Sequence, residues 1–233
     1  MEDSLYMVML LGFILGMKHA LEPDHIIALS TIASRSKSLW RSSLTGVFWG
    51  IGHTSTLFVI GLLLILLKLE LSLRLSLSLE FLVGIMLVYL GFSTVISFQR
   101  KKIHNHEHQH DGIPHHHFHE KHEHSHSSFS YIKSTMIGMI HGLAGSAAMV
   151  LLVMSTVSSV WKGIVYILVF GLGTVSSMLI FTTIIGLPFV LSVKKRNLNT
   201  KLILATGALS ALFGFYYMYN LGINEGLFKL WFS

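Results

Sequence analysis

A histidine, an aspartate and a second histidine stand close together in a hydrophobic stretch near the amino terminus. They are His19, Asp24 and His25, in the pattern His-x4-Asp-His. An ionisable side chain at membrane depth costs about 2.5–3.5 kcal/mol on insertion scales, so such residues are usually functional. Imidazole together with carboxylate suits divalent first-row transition metals. The pattern therefore predicts a metal site inside a membrane, for an ion such as nickel or cobalt.

Two more histidines lie in apolar segments further along the chain. His53 follows a Gly-Ile-Gly sequence, and His141 is followed by Gly142 and other small residues. Small residues let helix backbones approach closely, so each histidine could equally be a hydrogen-bonded packing residue. We keep both as candidate ligands. The predicted metal-ligand set is His19, Asp24, His25, His53 and His141.

Pro23 lies between the first ligands and predicts a broken helix. Proline lacks the N–H that would bond the carbonyl of His19, and its ring bends the helix. With about 3.6 residues per turn, residues five and six positions apart do not share a helix face. A break at Pro23 would let His19, Asp24 and His25 converge, and discontinuous helices of this kind mark ion sites in transporters. The alternative is two buried histidines beside an ordinary proline kink.

Composition places the chain in a membrane. Of its 233 residues, 52% are hydrophobic and 12% are charged, whereas a soluble domain carries about 25% charged residues. Mean hydropathy is +0.64. Six apolar segments are each near the roughly 20 residues that a spanning helix needs. Our limits for these segments are 4–34, 44–67, 80–99, 133–157, 162–191 and 200–222.

The absence of cysteine narrows the possible chemistry. The sequence contains none, which excludes disulfides, thiolate zinc sites and cysteine-ligated iron–sulfur clusters. No basic region precedes the first apolar segment, so a cleaved signal peptide is not expected. The net charge of +6 comes from the connections, and we interpret it as a signal of membrane orientation rather than of nucleic-acid binding.

Lysine and arginine are distributed unevenly between the two sides of the predicted membrane protein. Twelve lie in or beside the first, third and fifth connections, and four lie on the other side. The positive-inside rule then places both termini outside and the third connection in the cytoplasm. The predicted location is the cytoplasmic membrane.

The chain also repeats itself in three places. Because each repeat holds three predicted helices, an odd number, the second copy must be inverted, as in many transporter folds. The predicted fold class is therefore all-α, with six transmembrane helices arranged as two inverted three-helix repeats and the first helix broken at Pro23. The matches are 16–21 with 138–143 (offset 122), 50–55 with 171–176 (offset 121), and Gly84 and Gly91 with Gly207 and Gly214 (offset 123).

The third connection is rich in histidine. Such a tract has nothing with which to build a core, so we expect it to be disordered without metal. Its imidazoles, with pKa values near the ordinary value of about 6.5, are suited to capturing metal weakly at the cytoplasmic mouth. The histidines are His104, His106, His108, His110, His115, His116, His117, His119, His122, His124 and His126.

These features define four predicted parts of the chain: 1–99, the first repeat with the His-x4-Asp-His motif; 100–132, the His-rich loop; 133–222, the second repeat; and 223–233, a short tail.

The sequence from His19 to Ile26 resembles the His-x4-Asp-His signature of the nickel/cobalt transporter family. The stretch from Gly46 to Ser55, with His53 in an apolar glycine-rich setting, is similar to that family's second signature. The length and the six predicted segments resemble its urease-accessory, UreH-type branch. The resemblance implies secondary transport without ATP, no cofactor beyond the transported Ni²⁺ or Co²⁺, and metal-delivery proteins of urease or hydrogenase maturation as partners beside the lipid bilayer. No Gly-x4-Gly-Lys-Ser/Thr motif for ATP occurs.

Three other functions are alternatives to metal import. An exporter of nickel, cobalt or zinc would use the same residues, whereas a membrane metal sensor would need the loop but not Asp24. A serine intramembrane protease would need Gly-x-Ser-Gly, but the chain has alanine at Ala144 in the corresponding Gly142–Gly145 stretch. The zinc-protease motif His-Glu-x-x-His is also absent, so no enzyme activity is expected.

Overall fold

The computed structural model describes residues 2–67, 71–101, 109–110, 113–114, 127–156 and 159–232, with side chains at 6–67, 71–97, 131–145 and 159–232. Within these ranges the chain is helical apart from one short antiparallel strand pair. The helices are α1 (Glu2–His19), α2 (Pro23–Ala33), α3 (Leu39–Leu67), α4 (Leu73–Lys101), α5 (Ser127–Thr156), α6 (Val160–Ser192), α7 (Arg196–Tyr219) with a π-helical turn (Asn220–Asn224), and α8 (Leu227–Phe232). The strands are β1 (Gln109–His110) and β2 (Ile113–Pro114).

Four helices in the described part of the chain are long and apolar enough to cross a membrane. They are α3, α4 up to Ser97, α6, and α7 together with its π-helical turn. A lipid environment also explains why large apolar side chains such as Leu63, Leu172 and Leu212 point outward, since a soluble protein rarely exposes extensive apolar surface. The chain is therefore an all-helical, multi-pass membrane protein.

Several helices begin earlier than the hydrophobic limits predicted. α3 begins at Leu39 rather than at 44, and α4 begins at Leu73 rather than at 80. Their first turns carry Arg41 and Arg74 together with several serines. Hydropathy marks the stretch that lies in lipid, whereas hydrogen bonding can carry a helix beyond it, so the predicted limits were too short.

The first segment is broken where the proline predicted it. α1 ends at His19, α2 begins at Pro23, and Glu22 occupies the N-cap position of α2 with an extended ψ of 144°. One detail of the prediction is wrong, because the His19 carbonyl is not left free. It accepts the Glu22 N–H at 3.1 Å in a tightened turn, which satisfies the group that Pro23 cannot.

Helices α3 and α5 run parallel in close contact. The Ser134 hydroxyl of α5 donates to the Thr45 carbonyl of α3 at 2.7 Å. One turn further along both helices, the backbone of Gly138 lies against the carbonyl oxygen of Trp49. A side chain at position 138 would collide with that oxygen, so glycine is what allows this approach.

Helices α1 and α6 form a second parallel pair. Gly12 lies beside the Tyr166 ring, and one turn later Gly16 lies against the Phe170 carbonyl oxygen. Helices α4 and α7 are antiparallel, and α3 is antiparallel to α6. The antiparallel contacts are Gly84 with Gly214 and Gly91 with Gly207 between α4 and α7, and Gly46 with Thr182 and Gly50 with Val175 between α3 and α6.

These directions define two faces of the protein. Arg35, just after α2, donates to the Thr94 hydroxyl late in α4 at 2.8 Å, so α4 ends on the face where α3 begins. We call the face at which α1, α4 and α6 begin the first face. The second face is the one at which α3, α5 and α7 begin.

The carboxyl-terminal tail, expected only to be short, contains a helix that packs back on the bundle. Leu227 of α8 is fully buried in a cluster with Leu77 and Leu221. The indole N–H of Trp231 donates to the Ser78 hydroxyl at 2.9 Å. This anchors the tail on the first turns of α4.

The close glycine contacts give a testable expectation for stability. Alanine favours a helix over glycine by about 1 kcal/mol, but in Gly138→Ala the added methyl group would meet the Trp49 carbonyl. Overpacking of this kind costs about 1–3 kcal/mol, so we expect a lower unfolding temperature in detergent. Gly145→Ala is the matched control in the same helix, because its methyl group would meet His19 only at an ordinary 3.5 Å. Equal unfolding temperatures for the two variants would contradict this packing.

Candidate metal centre

Four imidazole rings from four helices, α1, α2, α3 and α5, meet beside the helix break. The ring centroids of His19 and His25 are 4.6 Å apart, those of His25 and His53 are 5.1 Å apart, and those of His25 and His141 are 4.2 Å apart. His25, His53 and His141 are at most 2% exposed. All four predicted histidines therefore come together with Asp24 in one cluster.

The break explains how residues distant on an ideal helix can converge. His19 is the last residue of α1, whereas Asp24 and His25 lie in the first turn of α2. The turn between the two helices re-aims α2, so that its first side chains approach the end of α1. Asp24 in the first turn also benefits from the positive end of the α2 dipole.

Asp24 lies between two imidazoles. One carboxylate oxygen accepts the His25 backbone N–H at 2.9 Å and lies 3.0 Å from His25 Nδ1. The other oxygen lies 2.9 Å from His141 Nε2. Both oxygens are thus engaged, and each orients an imidazole ring from a different helix.

Glu22 has the same relation to His19. Its Oε1 lies 3.0 Å from His19 Nδ1, which leaves His19 Nε2 to face His53 Nε2 at 3.1 Å. A carboxylate on the far nitrogen fixes the orientation of an imidazole that binds metal through the other nitrogen. The prediction from sequence did not include Glu22. Its spacing of three residues from both His19 and His25 was the available signal.

Three imidazole rings of the cluster each have one unsatisfied nitrogen atom. His25 Nε2, His53 Nδ1 and His141 Nδ1 are buried without a hydrogen-bond partner among the described residues. Leaving such a polar atom unpaired typically costs about 1–3 kcal/mol. Coordination of a cation by His25 Nε2 would satisfy that atom.

The ligand atoms are close enough to share an ion. In each of two groups the candidate atoms all lie within 4.8 Å of one another: His19 with His25 and His53, and Asp24 with His25 and His141. The geometry therefore allows either a three-imidazole set or a mixed set. His25 belongs to both groups and is the pivot of the cluster.

A cavity of about 370 Å³ leads to the cluster. Its lining includes Ala144 and Gly145, which follow His141 in α5, as well as Glu80 early in α4 and Tyr217 late in α7. All four residues lie on the side of the cluster that is nearer the first face. The cavity is also lined by Lys18 and the carboxylates described above, so acidic groups outnumber basic ones at its wall.

Sequence reasoning also missed aromatic residues that surround the imidazoles. Trp49 is fully buried, with its ring 5.4 Å from that of His25 and 5.1 Å from that of His141. Phe170 lies 5.5 Å from His19. Trp49 was detectable in principle, because it lies four residues before His53 and so on the same helix face.

The eleven histidines of the predicted loop lie outside the residues whose side chains the structure describes. Their role as a metal-capture tract stays a prediction, and so do the bounds of the four predicted parts of the chain.

Comparison with known proteins places the chain in a family. Residues 7–216 match the family described as the cytochrome C biogenesis protein transmembrane region. The chain is 56% identical over 230 residues to the urease accessory protein UreH of Bacillus sp. (strain TB-90), which covers 99% of this chain and 98% of that protein. It is 27% identical over 177 residues to the chloroplast protein FOR GROWTH AND FERTILITY 1 of Arabidopsis thaliana, which covers 75% of this chain and 48% of that protein. No solved structure matches the chain.

The fold and the site thus define the class of the protein: it is a polytopic membrane protein with a buried imidazole cluster. The chain belongs to the cytochrome c biogenesis transmembrane-region family and, within it, to the relatives of UreH. The expected resemblance to the UreH-type branch is confirmed. The chain is not an enzyme, in keeping with a family of membrane biogenesis and accessory proteins.

The carboxylate–imidazole pairs predict graded effects on metal affinity. In a purified chain lacking residues 104–126, His25→Ala should abolish high-affinity nickel binding measured by calorimetry, because it removes the pivot ligand. Glu22→Gln should weaken binding by about 10–100-fold, the usual effect of losing a partner that orients a ligand. Glu225→Gln, an exposed carboxylate, is the matched control and should bind like the parent chain. Equal affinities for Glu22→Gln and the parent chain would contradict the orienting role.

Proposed function

We propose that this protein is a secondary transporter that moves Ni²⁺ or Co²⁺ across the cytoplasmic membrane in the direction of uptake. The observation that carries the proposal is the buried cluster of four imidazoles and one carboxylate at a broken helix, reached by a cavity from one face. Imidazole and carboxylate donors without thiolate suit these ions. Membrane-embedded ionisable residues of this kind mark ion pathways.

The ion binds to His19, His25 and His53, with Asp24 and His141 completing the site. The short distance between His19 Nε2 and His53 Nε2, and the free Nε2 of His25, favour the three-imidazole set. Asp24 then neutralises part of the cation's charge through the rings that it orients. Because the free chain already holds these side chains together, little reorganisation is needed on binding.

Six transmembrane helices arranged as two inverted repeats form the scaffold of the transporter. Each residue of one repeat has a counterpart 121 to 123 positions away in the other. Replacing Gly138 and Trp49 by their counterparts converts their contact into that of Gly16 with Phe170. The contact of Gly84 with Gly214 likewise becomes that of Gly207 with Gly91. A twofold axis in the membrane plane accounts for both equivalences.

The same symmetry relates whole helix pairs. The twofold operation converts the parallel pair of α3 and α5 into the parallel pair of α6 and α1. It maps the pair of α3 and α6 onto itself, and likewise the pair of α4 and α7. The inverted repeat also predicts that the first and fourth segments face each other, and this pairing is the exception. The first and fourth segments meet through side chains, as in the contact of Asp24 with His141. The fourth segment instead packs its helix extensively against the second segment.

The orientation in the membrane supports uptake. The charge distribution puts the second face in the cytoplasm with the His-rich loop, and both termini outside. The cavity then opens to the exterior, so the state described here is the one that receives the ion. The membrane potential drives a divalent cation inward with about 4.6 kcal/mol per 100 mV, twice the value for one charge.

The name of one relative supports a cellular role in nickel supply. The UreH protein of Bacillus carries the name urease accessory protein, and nickel supply to urease maturation is the role that we propose here. The loop histidines would take the ion at the cytoplasmic mouth, and metal-delivery proteins would receive it from there.

Uptake of radioactive nickel separates these functions. Cells expressing the chain should accumulate nickel above background, and His19→Ala and Asp24→Asn should each lose this at matched protein levels, because both remove groups of the buried cluster. Glu225→Gln serves as the control that keeps uptake.

Accumulation below background that the two cluster variants restore would instead mean export. If Asp24→Asn had no effect while loss of residues 104–126 abolished function, the chain would be a sensor that uses its loop.

A further inference from the structure

Two aromatic side chains occupy equivalent positions in the two repeats, on opposite sides of the imidazole cluster. Trp49 of α3 and Phe170 of α6 are 121 residues apart, the offset that relates those two helices. Each offers its carbonyl oxygen to an equivalent glycine, Gly138 or Gly16. The equivalence therefore extends from sequence to backbone packing.

Their positions along the helices place them on different sides of the site. α3 begins at the second face, and Trp49 precedes His53, so Trp49 lies between the cluster and the second face. α6 begins at the first face, and Phe170 precedes the Gly173–Ser177 stretch that packs on the end of α1. Phe170 thus lies on the side of the cluster toward the first face.

The two side chains differ in whether they block access to the cluster. Trp49 is fully buried against His25 and His141, and it fills the space on the closed side of the cluster. Phe170 instead forms part of the wall of the open cavity, beside His19. One side of the site is therefore sealed by an aromatic ring, while the equivalent ring on the other side leaves a passage.

Packing alone holds the Trp49 ring in its closed position within the part of the chain that the structure describes. Its indole N–H is buried without a partner among the described residues, although buried tryptophans usually find one. Withdrawal of the ring would therefore break no hydrogen bond, and it would let the N–H reach water. A ring held by packing alone is suited to moving between two positions.

From these observations we propose that Trp49 and Phe170 are paired gates, which alternate in sealing the ion site from the second and first faces. In the opposite state the twofold symmetry exchanges their roles, so that Phe170 covers the cluster and Trp49 lines an open cavity. The inference rests on the inverted repeat of the proposed function. It assigns to two residues that bind no ion the task of keeping the pathway from being open at both ends.

The natural absence of cysteine makes a direct accessibility test possible. Leu15 lines the open cavity, and Ile137, its counterpart at offset 122, is buried in the cluster that contains Trp49. Leu15→Cys and Ile137→Cys, each in the full chain, report the two sides separately. Both would be labelled with a membrane-impermeant maleimide in metal-free buffer, in sealed vesicles of either orientation.

Removing one gate should favour the state in which that gate is open. Trp49→Ala should slow labelling of Leu15→Cys and speed labelling of Ile137→Cys, each by about threefold or more, because populations shift toward the opposite state. Phe170→Ala should change both rates in the reverse directions. Trp49→Leu fills more of the space and should act like Trp49→Ala but by less, which keeps the test available if the alanine variant folds poorly.

Exposed aromatic residues supply the controls. Trp40→Ala in α3 and Phe215→Ala in α7 remove side chains that are 70% and 50% exposed, and both should label like the parent chain. Rates that rise at both reporters in Trp49→Ala, or that change in neither gate variant, would overturn the pairing. Opposite shifts in cells that accumulate no nickel would uphold the gates and refute the proposed cargo instead.

Discussion

A largely buried carboxylate held between imidazoles is the constraint on which the rest of this structure depends. Asp24 is engaged on both oxygens by His25 and His141, in a protein whose surroundings are largely lipid. A charge in that setting is tolerated only with partners close by. These partners come from separate helices. The cluster therefore requires that α2 and α5 meet and that α1 end at His19.

The helix break and the glycine contacts satisfy that requirement together. Glu22 occupies the N-cap position of α2, and its carboxylate lies 3.0 Å from His19 Nδ1, so one residue both precedes α2 and orients a ligand. Gly138 and Gly16 let the paired helices approach to backbone contact. Since lipid offers no hydrophobic drive between helices, this close packing is the main source of cohesion.

Much of the site could be predicted from sequence, because its residues are ionisable side chains within apolar segments, where such side chains are rare. His19, Asp24, His25, His53 and His141 are polar side chains in stretches where polarity is costly, and the structure brings all of them together. Pro23 predicted the break because its chemistry acts locally. Glu22 escaped notice because it lies in a turn, where a carboxylate is ordinary.

Features that depend on packing between distant segments could not be predicted as well. The contact of α3 with α5, rather than of the first segment with the fourth, follows from which glycines face each other. Nothing in periodicity reveals that choice. The burial of Trp49 and the return of α8 onto α4 have the same origin, since an aromatic residue in an apolar helix may face either lipid or protein before the partners are known.

The proposed function requires that a metal ion bind through imidazoles at the helix break. Nickel X-ray absorption of the metal-loaded chain without residues 104–126 measures this directly. We expect the scattering pattern of three imidazole ligands, from His19, His25 and His53, and a reduction to two imidazole ligands in His53→Ala. A spectrum of oxygen ligands alone, unchanged by that substitution, would contradict the account.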